Sequence, residues 1–331
     1  MRLWSARLPG LSLSLLIAVA AVLAGHAMPL VGAPITAIVL GILVRNTIGV
    51  PASCSGGVAF GVKNLLQAAI VLLGFGIDLP RLWSTGRESV GVMLVTLMVG
   101  LIGGLAMGRI MRLRERLSLL IAVGTSICGA SAIAAVAPIV GAEAGEIAYA
   151  VSAIFLYNVA AVFLFPLFGH ALHMSDTTFG IWAGTAVNDT SSVVAAGYSF
   201  SRAAGLTATI VKLARTVMII PVSLAVAAYV AWRTGGQAPQ GRGRHSIARH
   251  IPWFVLAFVI AAALSSIPFA PHAWAARLAG LGSFFIVVAL AAVGLNVDAR
   301  VMGKAGGRPM ALGAIVWALV AFTSLVVQHA L

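Results

Sequence analysis

Long apolar stretches recur along almost the entire chain, and a few polar or charged residues separate each stretch from the next. The hydrocarbon core of a bilayer is about 30 Å thick, so a helix of roughly 20 apolar residues crosses it. The spacing predicts about eleven transmembrane helices, with ten to twelve as the range. The segments are 11–25, 30–44, 60–77, 89–108, 117–140, 147–168, 179–200, 206–232, 251–267, 281–297 and 309–330.

Composition supports the same class. The 331 residues are 61% hydrophobic and only 9% charged, whereas soluble domains carry about 25% charged residues. We therefore expect an all-α polytopic membrane protein, with one integral membrane domain over 1–331 and a basic linker at 233–250. The first helix has the outline of a secretory signal peptide, but further apolar segments follow at once, so we interpret it as uncleaved.

The net charge of +13 does not indicate a nucleic-acid partner, because the basic residues follow the predicted topology. Fifteen of the 21 Lys and Arg fall on one side of the eleven segments, and four fall on the other. Such a bias is typical of cytoplasmic loops, so it predicts a cytoplasmic N-terminus. The same topology places Glu143 and Glu146 in a turn on the opposite side, where they suit the start of the next helix.

Three charged side chains remain inside predicted membrane segments: Asp189, Lys212 and Arg215. A charge at the bilayer centre costs at least about 2.5–3.5 kcal/mol, so we expect all three to face the protein interior. Lys212 and Arg215 are three residues apart and share a helix face. A structural ion pair between Asp189 and one of the two bases is one interpretation. It leaves one positive charge in excess, which an anion site requires and a structural pair does not.

Two apolar segments have polar, breakable middles: GTSICGASAIAAVAP at 124–138 and GTAVNDTSSVVAAGY at 184–198. Tight helix packing through small residues is one explanation. Broken membrane helices are also tolerated around a cavity, and their half-helix N-termini attract anions. We expect both segments to line a binding site. The candidate residues are Thr125, Ser126, Gly129 and Ser131 in the first segment and Asn188, Asp189, Thr190, Ser191 and Ser192 in the second.

A longer-range similarity links VLLGFGIDLPR at 71–81 with LAAVGLNVDAR at 290–300. In the predicted topology these two helices end on opposite sides, which is the mark of an inverted repeat. The two polar segments, however, run parallel in that topology. A simple five-plus-five repeat does not explain both pairings, so either one similarity is chance or a helix is miscounted.

Several of these motifs resemble one family. GTSICGASAIAAVAP, NDTSSVVAAG, VKLARTVMIIP and LLGFGIDL resemble the YeiH-like bacterial membrane proteins, a family associated by name with sulfate export, and the likeness covers essentially the whole chain. Members are grouped with cation–proton antiporters and bile-acid-type symporters. The resemblance implies inverted repeats, broken helices that cross near the midplane, and elevator-like alternating access. Members often have a histidine before the acid of the second motif, where this chain has Asn188.

The combined interpretation is a secondary transporter of the bacterial inner membrane that moves a small anion, with sulfate or a related sulfur oxyanion or sulfonate as the leading candidate. Lys212 and Arg215 would neutralise the substrate, and Arg is able to bind an oxyanion through two parallel hydrogen bonds. Asp189, next to Asn188, would take H⁺ or Na⁺ or hold the basic pair. The partners would be the anion, the coupling ion and the lipid bilayer, and a homodimer stays open.

Three other functions stay open. A monovalent cation–proton antiporter would use Asp189 as ion ligand, and a passive channel would also contain Gly- and Pro-broken segments. An intramembrane enzyme would need a base beside Cys128 or a serine, and no histidine lies in the middle of a predicted span. We expect that the protein is not an enzyme. We also expect no cofactor and no metal, because the sequence has no phosphate-binding loop and no Cys/His cluster at metal spacing.

Overall fold

The computed structural model describes residues 7–27, 32–233, 253–267, 272–297 and 307–330. Every regular element within these ranges is helical. The helices are α1 (Leu8–Ala27), α2 (Gly32–Thr47), α3 (Ala52–Gly74), α4 (Leu79–Ile110), α5 (Glu115–Ser126), α6 (Ala130–Val140), α7 (Ala144–Ala171), α8 (Asp176–Ala186), α9 (Thr190–Phe200), α10 (Arg202–Val217), α11 (Ile219–Arg233), α12 (Trp253–Ser265), α13 (His272–Asn296) and α14 (Gly307–Ala330).

The structure confirms an all-α polytopic membrane protein. Within the described ranges, six helical stretches are long and apolar enough to cross a membrane: α3, α4, α7, the continuous α10–α11 stretch, most of α13, and α14. Each of the eleven predicted segments is helical over most of its described residues, but 117–140 and 179–200 are each divided into two short helices. Most of the predicted linker 233–250, and Asp298 of the predicted repeat, lie outside the described residues.

The chain forms two compact units, and the interpretation of 1–331 as one integral membrane domain stays a prediction. Unit 1 comprises Met1–Ser84, Val194–Leu206 and Trp253–Gly303, and unit 2 comprises Thr85–Val193, Thr207–Pro252 and Lys304–Leu331. Both segments with polar middles therefore have their breaks, at 127–129 and 187–189, inside unit 2.

Unit 1 is built on close helix contacts at glycines. A side chain at Gly41 of α2 would meet the backbone of α13 at Ala291 and Gly294, and one at Gly74 of α3 would meet the backbone of Phe258 in α12. Small residues allow this approach in a membrane, where dispersion contacts replace the hydrophobic effect between helices. Gly74 and Gly294, which the repeat similarity pairs, each lie at such a contact.

In unit 2, a glycine stripe on α4 packs between α5 and α14. Because α4 presents no side chain at these positions, its neighbours lie almost against its backbone. Along α4, the neighbours of Gly100, Gly104 and Gly108 are Ser126, Ala122 and Ser118 on α5, and Val320, Val316 and Leu312 on α14. Residues at the end of α5 therefore lie level with Val320 of α14, and residues at its start lie level with Leu312.

Helices α5 and α6 form a re-entrant hairpin, which we call hairpin 1 (115–140). The Arg116 guanidinium donates to the Gly141 carbonyl at 2.8 Å, and Arg114 pairs with Glu143 at 3.4 Å. A continuous helix would separate residues 116 and 141 by about 37 Å. The expected single crossing at 117–140 is therefore wrong, and so is the placement of Glu143 on the opposite side from Arg114. Each arm is only about 17 Å long, roughly half a membrane.

Helix α14 also shows how the second divided segment enters. The Thr185 hydroxyl of α8 hydrogen-bonds to Ser324 at 2.7 Å, and Ile181 belongs to a cluster of side chains packed with Val327. Moving along α8 toward its C-terminus therefore means moving toward lower residue numbers on α14. Hairpin 1 approaches the same level from the other end of α14, so the two segments enter from opposite sides.

Helix α10 contacts both α8 and hairpin 1. Val211 of α10 packs in the same cluster as Ile181, and Arg215 reaches the end of hairpin 1, so α10 runs away from the entry side of α8. We call the second divided segment within unit 2, residues 176–193 with its break at 187–189, hairpin 2. The expectation of parallel polar segments is wrong because hairpin 1 and α8 enter from opposite ends of α14.

This correction leaves the charge distribution unchanged. When both divided segments are counted as re-entrant instead of crossing, the side of every later segment stays the same. No Lys or Arg occurs between Arg116 and Arg202, and the fifteen-to-four distribution therefore holds for both topologies. Hairpins that enter from opposite sides are typical of inverted repeats, which removes the conflict between the two sequence similarities.

Candidate functional site

Lys212 joins the tips of the two hairpins. It lies in α10 and is fully buried. Its Nζ donates to the carbonyl of Ile127 at 2.7 Å and to the carbonyl of Val187 at 2.8 Å. These carbonyls directly follow the C-terminal ends of α5 and α8, where backbone groups lack helical partners and carry partial negative charge. One ammonium group thus neutralises two helix ends.

Arg215 lies one turn further along the same face of α10 and is also fully buried. Its Nε donates to the carbonyl of Ser126 at 2.6 Å, at the end of α5. Both terminal nitrogens, Nη1 and Nη2, are buried without a hydrogen-bond partner. Since an unpartnered buried cation is costly, these nitrogens are the part of the site that most clearly calls for an anionic ligand.

The inner arm of hairpin 1 begins at Gly129. This residue has φ 70° and ψ −132° and precedes α6 with no side-chain cap. Such a conformation is essentially restricted to glycine. A Cβ at this position would lie 3.5 Å from Ile154 and 3.7 Å from the Cβ of Asp189. Hairpin 1 therefore turns through backbone conformation, and its inner arm begins beside the acid of hairpin 2.

Asp189 caps the inner arm of hairpin 2. Its Oδ2 accepts from the backbone N–H of Ser191 at 2.9 Å and from the Ser191 hydroxyl. A carboxylate suits a helix N-terminus. Asp189 forms no ion pair of 4.0 Å or less with Lys212 or Arg215, although all three residues are described. The ion-pair interpretation is therefore not what this structure shows: each charge lies against a helix end of opposite sign.

Asn158 is a site residue that the sequence interpretation missed. It lies midway along α7, and its Oδ1 accepts from the backbone N–H groups of Asn188 at 3.2 Å and Asp189 at 3.0 Å. This side chain holds the tip of hairpin 2. An amide in the middle of the apolar segment 147–168 was the available signal, because polar residues in a membrane core generally need a partner.

The predicted site residues divide into two groups. The structure brings together Ser126, Gly129, Asn188, Asp189, Ser191, Lys212 and Arg215 at or beside the hairpin tips. Thr125 and Ser192 are buried in the hairpin arms, Thr190 is half-buried, and Ser131 is exposed on α6. Ser126 Oγ and both polar atoms of the Asn188 side chain are buried without partners. Whether these residues bind substrate stays a prediction.

The base of hairpin 1 carries a separate cavity of about 620 Å³, lined in part by Arg114, Arg116, Tyr229 and Arg233. Its charges are paired at the surface: Arg233 and Glu115 lie 2.5 Å apart, and both are about half-exposed. The hydrogen bond from Arg233 holds the pKa of the Glu115 carboxyl below its usual range. Exposed pairs of this kind contribute little, so we regard this cluster as the anchor of the hairpin base.

Fold and site together define a polytopic α-helical membrane protein in which two re-entrant hairpins meet around buried cations. The family model described as "Conserved hypothetical protein 698" matches residues 9–313. The chain therefore belongs to this family, which confirms the YeiH-like resemblance.

Relatives of similar length extend over nearly the whole chain. A UPF0324 membrane protein of Clostridium tetani is 37% identical over 91% of this chain and 90% of its own. UPF0324 membrane proteins of Streptococcus agalactiae serotype V and Streptococcus pyogenes serotype M18 are 38% and 39% identical, and the alignments cover at least 97% of each chain. No solved structure matches this chain.

Proposed function

We propose that this protein is a secondary active transporter of a small anion. The observation that carries the proposal is the guanidinium of Arg215, which is fully buried beside a hairpin tip with two terminal nitrogens that have no partner. Arginine has five N–H donors, and buried donors are generally hydrogen-bonded. This one uses Nε to hold Ser126 and leaves the planar fork that pairs best with an oxyanion.

The position of the site supports transport rather than a purely structural role. Asn158, at the midpoint of α7, contacts the tip of hairpin 2. The tips of both hairpins contact Lys212. Binding near the midplane between broken elements that enter from opposite sides is the arrangement from which alternating access operates. The family resemblance makes sulfate or a related sulfur oxyanion or sulfonate the leading substrate class, with H⁺ or Na⁺ as coupling ion.

The charge distribution supports a location in the bacterial inner membrane with the N-terminus in the cytoplasm. The excess of Lys and Arg on one side of the chain follows the bias of cytoplasmic loops. In that orientation hairpin 1 enters from the cytoplasmic side and hairpin 2 from the other.

Counterflow in proteoliposomes tests the proposal. Vesicles preloaded with sulfate, sulfite, thiosulfate or methanesulfonate are assayed for exchange with the labelled anion, using the native protein and Arg215→Gln. Arg87→Gln is the matched control, because Arg87 is an exposed arginine of the same unit. We expect exchange of at least one anion that falls about 100-fold or more in Arg215→Gln, from the loss of a charge-assisted pair worth roughly 1.5–3 kcal/mol and of a buried charge.

The same assay decides against the proposal if no anion exchanges while the folded protein drives a monovalent cation against a proton gradient. That outcome would favour an antiporter centred on Asp189, whose carboxylate lies beside the N-terminal ends of α6 and α9. Anion exchange that survives Arg215→Gln at the native rate would leave transport standing but remove Arg215 from the site.

A further inference from the structure

The charges at the hairpin tips do not cancel. We count Lys212 and Arg215 as cations and Asp189 as an anion. The helix ends that meet here are balanced, because two C-terminal ends (α5 and α8) and two N-terminal ends (α6 and α9) contribute opposite partial charges of about half a unit each. The site therefore presents one net positive charge to a ligand.

The unpartnered groups at the tips are mostly donors. Four of the five N–H groups of Arg215 remain after Nε is used. The Asn188 amide nitrogen and the Ser126 hydroxyl are buried and unpartnered as well. Lys212, in contrast, already donates to two carbonyls. The ligand-facing chemistry is a guanidinium together with neutral donors from the two hairpin tips, which suits an oxyanion with several acceptor oxygens.

We propose that the tip site accepts cargo of one net negative charge: a singly charged oxyanion, best matched by an organic sulfonate, binds as it is, and sulfate binds only together with a proton on Asp189. The inference rests on the proposed transport function and names its substrate class. A second negative charge without compensation in a buried site costs several kcal/mol, whereas a proton taken from the bulk onto the Asp189 carboxylate restores neutrality.

Asp189 is the group at the tips that is able to change the charge in this way. Ser191 of α9 faces it, as do Asn158 of α7 and Gly129 of the hairpin 1 turn. Lys212 of α10 and the buried Cys128 interact with it electrostatically. With Lys212 counted as the ammonium that holds two carbonyls and Cys128 as a neutral thiol, the proposal assigns proton uptake to the carboxylate of Asp189.

The experiment compares sulfate with methanesulfonate in the counterflow assay between about pH 6 and pH 9. At limiting concentration, sulfate exchange should rise by up to about tenfold for each unit of acidification, as one bound proton requires. Methanesulfonate exchange should show no such rise. Isothermal titration of the purified protein in buffers of different ionisation enthalpy should report about one proton taken up with sulfate and none with methanesulfonate.

Asp189→Asn turns the comparison into a change of selectivity. Asparagine also caps a helix through its side-chain oxygen, so the hydrogen bond to Ser191 is retained while the charge is lost. We expect the pH dependence of sulfate exchange to disappear and methanesulfonate to lose about tenfold or more relative to sulfate. Glu88→Gln, which changes an exposed acid of the same unit, should behave as the native protein does.

The outcomes separate two failures. Sulfate exchange without pH dependence or proton uptake would overturn the proposal that the site accepts cargo of one net negative charge. So would an Asp189→Asn variant with the native preference and pH profile. Either result would leave anion transport intact. If the folded native protein neither exchanges nor binds any anion of the panel, both the transport proposal and the proposal of a single net negative charge are wrong.

Discussion

The two hairpins meet at the same lysine but turn by different means. At their C-terminal arm ends they are equivalent, since Ile127 and Val187 each offer a carbonyl to Lys212. At their N-terminal arm ends they differ. Hairpin 1 uses the positive φ of Gly129 with no side-chain cap, whereas hairpin 2 is capped by Asp189 and held by Asn158.

This difference indicates which features each tip depends on. The shared lysine couples the two hairpins, so a change there affects both. A backbone-determined turn is sensitive to a single added methyl group, whereas a capped turn is sensitive to the side chains that hold it. Three substitutions separate these dependences, and they are ordered by the size of effect we expect.

Lys212→Met should have the largest effect, because it removes the contact that the two tips share. The variant leaves two buried carbonyl groups unpartnered, at about 1–3 kcal/mol for each lost partner. We expect a destabilisation of about 2–6 kcal/mol, measured as the thermal unfolding of detergent-purified protein. Lys63→Met replaces an exposed lysine and should unfold as the native protein does. Native-like unfolding of Lys212→Met would show that the tips are held by other contacts.

Gly129→Ala should affect hairpin 1 while leaving the contacts of hairpin 2 intact. The surrounding space admits a methyl group, since the nearest atom to an added Cβ is 3.5 Å away, so the cost lies in backbone strain of about 1–3 kcal/mol. Gly86→Ala is the control, because Gly86 lies in α4 with open space around it, and alanine in a helix interior stabilises by up to about 1 kcal/mol. A Gly129→Ala variant as stable as Gly86→Ala would contradict the assigned turn.

Much of this architecture was predictable from the sequence. Apolar length located all eleven segments, and the glycines, serines and threonines of 124–138 and 184–198 identified the segments that break. The buried charges Lys212 and Arg215 were recognised because a charge in an apolar segment needs a partner inside the protein.

Two features could not be predicted in this way. A broken crossing and a re-entrant hairpin have the same apolar length, and the usual charge signal was silent because no Lys or Arg lies between Arg116 and Arg202. The partners of the buried cations were also hidden. We expected Asp189 or a substrate to pair with the buried cations, but Lys212 binds the carbonyls of Ile127 and Val187. Every residue has a backbone carbonyl, so the sequence does not show which carbonyls accept a hydrogen bond.

Asn158→Leu should have the smallest effect of the three and should act on hairpin 2. Its Oδ1 accepts from the N–H groups of Asn188 and Asp189, so its loss resembles the loss of a helix cap, at about 0.5–2 kcal/mol. Asn64→Leu, which changes an exposed asparagine, provides the comparison for a leucine added elsewhere.

The combination of Asn158→Leu with Gly129→Ala sharpens the comparison further. If the tips were independent, the two losses of stability would add within about 0.5 kcal/mol. Gly129 lies next to Asp189, however, and the backbone N–H of Asp189 donates to Asn158. A change at one tip should therefore already relieve part of the constraint on the other. We therefore expect the double variant to lose less than the sum, measured by the same thermal unfolding. Strict additivity would mean that only Lys212 joins the two hairpins.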